Sequence, residues 1–183
     1  NLLGRGQNLS FNYEFGKNTT YSLNFYEPWL MGTKNSFGIN LYNRRNDYKE
    51  EEGYTEKRQG GSISLGRPIT EMWDGNVKFK VEETQLIYDE SKDESGTHSV
   101  TLRLNRDTTN KAFNPDQGAI DIFSTEYAGG ILGGDNTFSK YNADIRRYYP
   151  GIKTDHAWAL RMKTGLSNGQ VPKQDQYRLG GAK

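Results

Sequence analysis

Apolar side chains return at every second position along most of this chain, and no segment repeats at the 3.6-residue period of a helix. Leu9, Phe11, Tyr13 and Phe15 alternate with Asn8, Ser10, Asn12 and Glu14. Tyr21, Leu23 and Phe25 do so against Ser22 and Asn24, and Phe37, Ile39 and Leu41 against Gly38, Asn40 and Tyr42. Ile63 and Leu65 stand against Ser62 and Ser64. Val77, Phe79 and Val81 oppose Lys78, Lys80 and Glu82, and Val100, Leu102 and Leu104 oppose Thr101, Arg103 and Asn105. Ile120 and Ile122 flank Asp121, with Phe123 out of phase. Tyr141, Ala143 and Ile145 then oppose Asn142, Asp144 and Arg146, and Trp158, Leu160 and Met162 oppose Arg161 and Lys163. Successive side chains of a strand point to opposite faces, so each stretch is a strand with one apolar face. About nine such strands in succession, joined by turns, make an all-β antiparallel up-and-down meander.

The supply of core is poor for a soluble globule: 33% of the 183 residues are hydrophobic and the mean hydropathy is −0.93. Disorder is excluded by 13% aromatic residues, 12 of them Tyr, because disordered chains are poor in aromatics. The absence of Cys removes disulfides and thiolate metal sites. A net charge of +1 speaks against a nucleic-acid binder. No run approaches the roughly 18 apolar residues of a transmembrane helix, and no signal peptide is seen. The ends, NLLGRGQNLSF and YRLGGAK, read as parts of something longer.

The connections fall into two kinds that alternate. GKN, KEEEGYTE, DESKDESG and GGILGGDN are Gly-rich or charged; EPWLMGTKN, GRPITEMWDG, NKAFNPDQG and YYPGIKTD each carry a proline. Alternate turns of a meander share a rim, so the two kinds mark the two ends of one sheet. A soluble barrel turns its apolar face inward, and a transmembrane barrel turns it to lipid and lines its lumen with the polar face. The ionic face fits either. Tyr26, Trp29, Tyr42, Tyr48, Trp73, Tyr88, Tyr127, Tyr148, Tyr149 and Trp158 gather near strand ends, which favours the aromatic girdles of a membrane barrel. Leu9 to Phe15 spans roughly 20 Å, or about 15 Å once tilted, less than the usual apolar band of about 25 Å. A membrane barrel would place Leu9, Phe11, Val77, Phe79, Leu102 and Leu104 against lipid, and Lys78, Lys80, Glu82, Arg103, Asp144, Arg146, Arg161 and Lys163 in the lumen.

Residues 106–118, RDTTNKAFNPDQG, resemble the R-D-x-T-x-N-x-x-F-x-P-x-x-G turn of the BamA-like outer-membrane protein assembly factors, through Arg106, Asp107, Thr108, Asn110, Phe113, Pro115 and Gly118. YEPWLMGT is similar to the family's F-x-E-P-W-L-F-G turn, through Tyr26, Glu27, Pro28, Trp29, Leu30 and Gly32. NLLGRGQ resembles the turn before the third barrel strand, and YRLGGAK the lead into a long inward-folded loop. The resemblance implies a barrel domain over 1–183 in the bacterial outer membrane, with proline-bearing turns toward the periplasm. It implies action on unfolded outer-membrane proteins, without cofactor or hydrolysis, through a seam between first and last strands. The implied partners are the lipid bilayer, those substrates, assembly partners and, through exposed strand edges, further copies of the chain. Periplasmic repeats, the first two strands, the V-R-G-F/Y loop tip and the last five strands of the family pattern are absent here, so the expected piece is family strands three to eleven of sixteen.

Sharper chemical readings are weaker. His98 and His156 lack companions at ligand spacing. Glu50, Glu51 and Glu52 read as a solvated run, and Glu82 and Glu83 face opposite sides of a strand. GGILGGDN precedes no helix and is no phosphate loop. No nucleophile, base and orienter can be assembled, so an enzyme is not expected. The Arg106–Asp107 pair is expected to tie the turn to its neighbouring strand. A passive channel or a small-ligand-binding barrel is the alternative function.

Overall fold

The computed structural model describes residues 6–153 and 156–177. Nine antiparallel strands follow one another in chain order: β1 (Asn8–Glu14), β2 (Thr19–Glu27), β3 (Ser36–Tyr48), β4 (Tyr54–Pro68), β5 (Trp73–Ile87), β6 (Lys92–Asp107), β7 (Gly118–Ala128), β8 (Phe138–Pro150) and β9 (Ala157–Gly169). Among the described residues β1 pairs only with β2, and β9 only with β8, so the sheet is an unclosed arc of a barrel. The NLLGRGQ resemblance falls largely on residues before Gly6, and most of YRLGGAK lies beyond Tyr177; both are outside the described residues.

The strands are longer at the rim without prolines than the alternation suggests. KEEEGYTE and DESKDESG, read as loops, both run into strand, with β4 starting at Tyr54 and β6 at Lys92. Tyr48 pairs with Tyr54 across one helical turn, α1 (Lys49–Glu52), closed by Gly53 at φ 78°. Lys92 pairs with Ile87 across a four-residue turn. Their charged residues hid the pairing because a strand standing clear of an apolar environment needs no greasy face.

Register aligns the alternation from strand to strand. Leu9, Phe25, Ile39, Ile63, Phe79, Val100 and Tyr127 form one continuous cross-strand row over β1 to β7. Most of this row stands open: Leu9 is 54% exposed and Ile63 50%. Buried residues gather on the other face, among them Tyr54, Glu56, Glu82, Thr84, Thr97, Ser99, Phe138 and Asp144. That second face is concave. Arg58 on β4 and Lys140 on β8 both bond Asp175, though four strand spacings would put them about 19 Å apart on a flat sheet.

The apolar face varies in height. On β5 it runs from Trp73 to Val81, about 26 Å along the strand. On β4 only Ile63 and Leu65 stand between Gln59 and Arg67, with Gly61 and no other side chain to add.

One glycine is required by the concave face. Tyr42, Gly60 and Glu82 are successive partners across β3, β4 and β5, and the Tyr42 hydroxyl donates over Gly60 to Glu82 Oε2 at 2.5 Å. A Cβ on Gly60 would stand 2.5 Å from the Val81 carbonyl oxygen and 3.1 Å from the Tyr42 hydroxyl. Gly60→Val should therefore destabilise the sheet by about 1–3 kcal/mol through overpacking, read as a lower urea midpoint of the refolded protein in micelles, while Gly96→Ala, whose Cβ would meet only the end of the Asp135 side chain at 3.3 Å, should lose less.

Candidate functional site

Three arrangements carry the polar chemistry, and the first fills the concave face. Arg58 donates from Nε to Glu56 Oε1 at 2.8 Å and from a terminal nitrogen to Asp175 Oδ1 at 3.3 Å, and lies 3.8 Å from Glu82. Lys80 bridges Glu82 at 3.5 Å and Glu126 at 3.6 Å, and Glu126 accepts from the Ser99 hydroxyl at 2.7 Å. Asp144 takes bidentate bonds from Arg146 and from Arg161. Arg103 bonds Asn105, and Lys78 and Lys163 share this face with them. The segment after β9 lies across it: Asp175 joins Arg58 and Lys140, and the Tyr177 hydroxyl donates to Asn142 Oδ1 at 2.6 Å. Interleaved opposite charges are what a buried ionic face needs, since an unpaired charge there costs several kcal/mol. Glu82 Oε1 and Asp175 Oδ2 remain buried without a hydrogen-bond donor, places suited to water in a hydrated interior.

The second arrangement is the 107–118 turn. Asp107 Oδ1 accepts from both the amide and the hydroxyl of Thr109. Thr108 and Ala119 exchange backbone and hydroxyl bonds at 2.9–3.3 Å. Asn110 Oδ1 accepts from the amides of Asp116 and Gln117, and its side-chain amide donates to Asp116. Gly118 has φ 110°, and a Cβ there would meet the Thr108 carbonyl oxygen at 2.3 Å, so glycine is obligatory. Pro115 is half-buried, and Phe113 stands 89% exposed at the tip. The motif is thus a self-contained pin that leaves one aromatic pointing outward. In the Glu27–Gly32 turn, Glu27 is buried, accepts from the Trp29 amide at 3.0 Å and from the Gln7 side chain, and Gly32 closes the turn at φ 75°.

The third was not legible beforehand. Arg106 does not pair with Asp107; it donates to Asp121 Oδ2 at 3.2 Å, and Arg147 donates to Asp121 Oδ1 at 2.5 Å. Register puts Arg106, Asp121 and Arg147 on the apolar face: Phe123 pairs with Leu104, Asp121 with Arg106 and Ile145. Phe123 is therefore in phase, and Ile120 and Ile122 turn to the concave side. Trp73 stacks with Phe123 at 6.5 Å and lies 5.9 Å from the Arg106 guanidinium. Carrying Tyr127, Thr125 and Phe123 back by twos to Asp121 would have revealed this in the sequence. The two isoleucines misled because they sit on the inner face.

Leu9, Phe11, Val77, Phe79, Leu102 and Leu104 all lie exposed on the convex face, and the concave set is Lys78, Lys80, Glu82, Arg103, Asp144, Arg146, Arg161 and Lys163. His98 Nδ1 meets the Leu132 carbonyl oxygen at 2.8 Å, tying the 129–136 loop to β6. Among the described residues no cluster of His, Asp and Glu could hold a metal, and the arrangement offers ion pairing, strand pairing and surface.

An up-and-down sheet with an apolar convex face and an ionic concave face is the wall of an outer-membrane-type β-barrel. The whole chain, residues 1–183, matches the Omp85 superfamily domain, and the chain belongs to that superfamily. It is 26% identical to the outer membrane protein assembly factor BamA of Nitratidesulfovibrio vulgaris, over 99% of this chain and 24% of that protein. It is also 26% identical to the sorting and assembly machinery component 50 homolog of Xenopus tropicalis, over 99% of this chain and 41% of that protein. The fold matches the crystal structure of BamA from Haemophilus ducreyi lacking POTRA domains 1–3 with a TM-score of 0.82 at 21% identity, over 98% of this chain and 39% of that one. The chain thus spans less than half the length of these relatives.

Two outcomes test the geometry. Asp121→Ala leaves two guanidiniums facing each other on an apolar surface and should cost about 2–3 kcal/mol, below the roughly 3–5 of a fully buried pair because each arginine is partly exposed; thermal unfolding in micelles reads it. In the turn, hydrogen bonds from Lys111 and Asn110 hold the Asp116 carboxyl below its usual range. Its contribution is complete above the unfolded value of about 3.9 and is lost as pH falls through the lower folded one. The amide NMR signals of Asp116 and Gln117 should titrate with a midpoint below about 3.9, and Asp116→Asn should abolish that titration.

Proposed function

We propose that this chain forms part of the wall of an outer-membrane β-barrel that assists the folding or translocation of other outer-membrane proteins, and that the membrane is the bacterial outer membrane. The observation carrying the membrane part is the exposed row Leu9, Phe25, Ile39, Ile63, Phe79, Val100 and Tyr127. In water such a row is an aggregation surface, and in a bilayer it is the lipid contact. Support for the assembly role is the match to the superfamily over residues 1–183 and the names of two relatives, an outer-membrane protein assembly factor and a sorting and assembly component. The low stretch of apolar surface on β4 fits a barrel that perturbs the bilayer beside it, since a short hydrophobic wall thins the membrane. The partners are unfolded barrel substrates.

Spin labels at Leu9, Phe11, Val77 and Leu102 of the bilayer-reconstituted protein should relax with oxygen and resist a water-soluble nickel complex, with Lys78 and Arg103 behaving oppositely. Equal access of the nickel complex to both sets would overturn the membrane placement. The same proteoliposomes should speed folding of a urea-denatured client barrel over empty liposomes. Ion conductance without any such acceleration would overturn the assembly role in favour of a passive channel.

A further inference from the structure

On the convex face, at the rim of the proline-bearing turns, the apolar surface gives way to Arg67, Trp73, Arg106, Asp121 and Arg147 on β4 to β8. Three guanidiniums face one carboxylate. Asp121 engages one nitrogen each of Arg106 and Arg147, which leaves most of their five donors free. Arg67 is exposed and forms no ion pair among the described residues. Directly beside it a groove of about 640 Å³ opens in the same face, walled by Leu30, Leu65, Ile69, Val77, Leu102 and Leu104. Gly75 makes the floor: it is the cross-strand partner of Arg67 and Leu104, and its missing side chain is what leaves the hollow, with Ile69 Cδ1 only 2.9 Å from where a Cβ would stand.

We propose that this groove and its arginines form a binding site for an anionic glycerophospholipid of the leaflet bordering the proline rim, its phosphodiester on Arg67 and Arg106 and one acyl chain along the groove. The proposal rests on the convex face being the lipid face. The chemistry is complementary at both ends. Guanidinium is the side chain best matched to a phosphate, through its planar fork of donors. An open apolar channel running from it accepts hydrocarbon and nothing polar. By strand spacing and rise Arg67 and Arg106 stand about 12 Å apart, a gap two long side chains close around one head group, with the Trp73 ring between them at the depth where indoles anchor. Arg147 and Asp121 hold Arg106 in place. A free phosphate would have no use for the groove, and a soluble peptide would have to displace bilayer to reach it.

The test is photo-crosslinking of the reconstituted protein with phospholipids carrying a diazirine in one acyl chain, mapped by mass spectrometry. Phosphatidylglycerol and phosphatidylcholine probes are compared at equal mole fraction, and yields on residues 65–77 and 102–104 are divided by those on Trp158–Leu166, which shares the convex face far from Arg67. About 1 kcal/mol per basic residue near the membrane surface, for Arg67 and Arg106 together, predicts roughly a thirtyfold preference for phosphatidylglycerol at the groove. Arg67→Gln, an exposed position, should lower the ratio about fivefold without altering the yield on β9. Equal ratios at groove and β9 in the unmodified protein would overturn the site while leaving the lipid-facing placement intact. Absence of crosslinks at both places would overturn the placement itself. A stronger preference for a lipid A probe supplied only to the opposite leaflet would overturn the assignment to a glycerophospholipid of the proline-rim leaflet.

Discussion

On the concave face Arg58, Lys80 and Asp144 are each met by an opposite charge reaching across one or more strands, and much of the structure follows from that. Arg58 is held between Glu56, Glu82 and Asp175, and Lys80 between Glu82 and Glu126. These pairs span β4 to β7 and the segment beyond β9, so they work only when the sheet is curved and in register. A slip of one residue would turn every ionic side chain to the convex face and every apolar one inward. The pairing therefore fixes curvature, register and facing together, and the exposed hydrophobic row on the other side is its consequence.

The inversion is not complete, and its exceptions sit at the rims. Asp121 lies on the apolar face and is tolerated because Arg106 and Arg147 cover it and Trp73 and Phe123 stack beside it. In the proposed membrane placement a charged cluster at this rim meets head groups rather than hydrocarbon, where the cost of ionic groups falls steeply. The neighbouring 107–118 turn spends almost all its polar groups on itself, so its rigidity does not depend on what the rim faces. Its arginine, by contrast, leaves the turn and joins the belt, which links a local pin to the lateral surface of the wall.

The uneven apolar height has the same origin. β5 offers a tall greasy face and β4 a short one, yet both are full-length strands, because strand length is set by backbone pairing and apolar height by side chains alone. A wall of this kind presents different thicknesses to the bilayer around its circumference without any break in hydrogen bonding.

The period of two, read without coordinates, determined that the chain is a meander of about nine strands with alternating turn types, and the turn motifs carried the family resemblance that the superfamily match bears out. Side-chain alternation is a local property of an extended backbone, so it survives in the sequence. Which residues meet is not local. Tyr42 with Glu82 and Arg58 with Asp175 are separated by 40 and 117 positions, and only the curvature of the assembled sheet brings them within bonding distance. The phase of β7 was lost to two isoleucines, and the strand ends at 47–48, 54–56 and 92–96 were lost to their charges, for one reason: a period says that two faces differ, and only pairing with a neighbour says which face is which and where a strand ends.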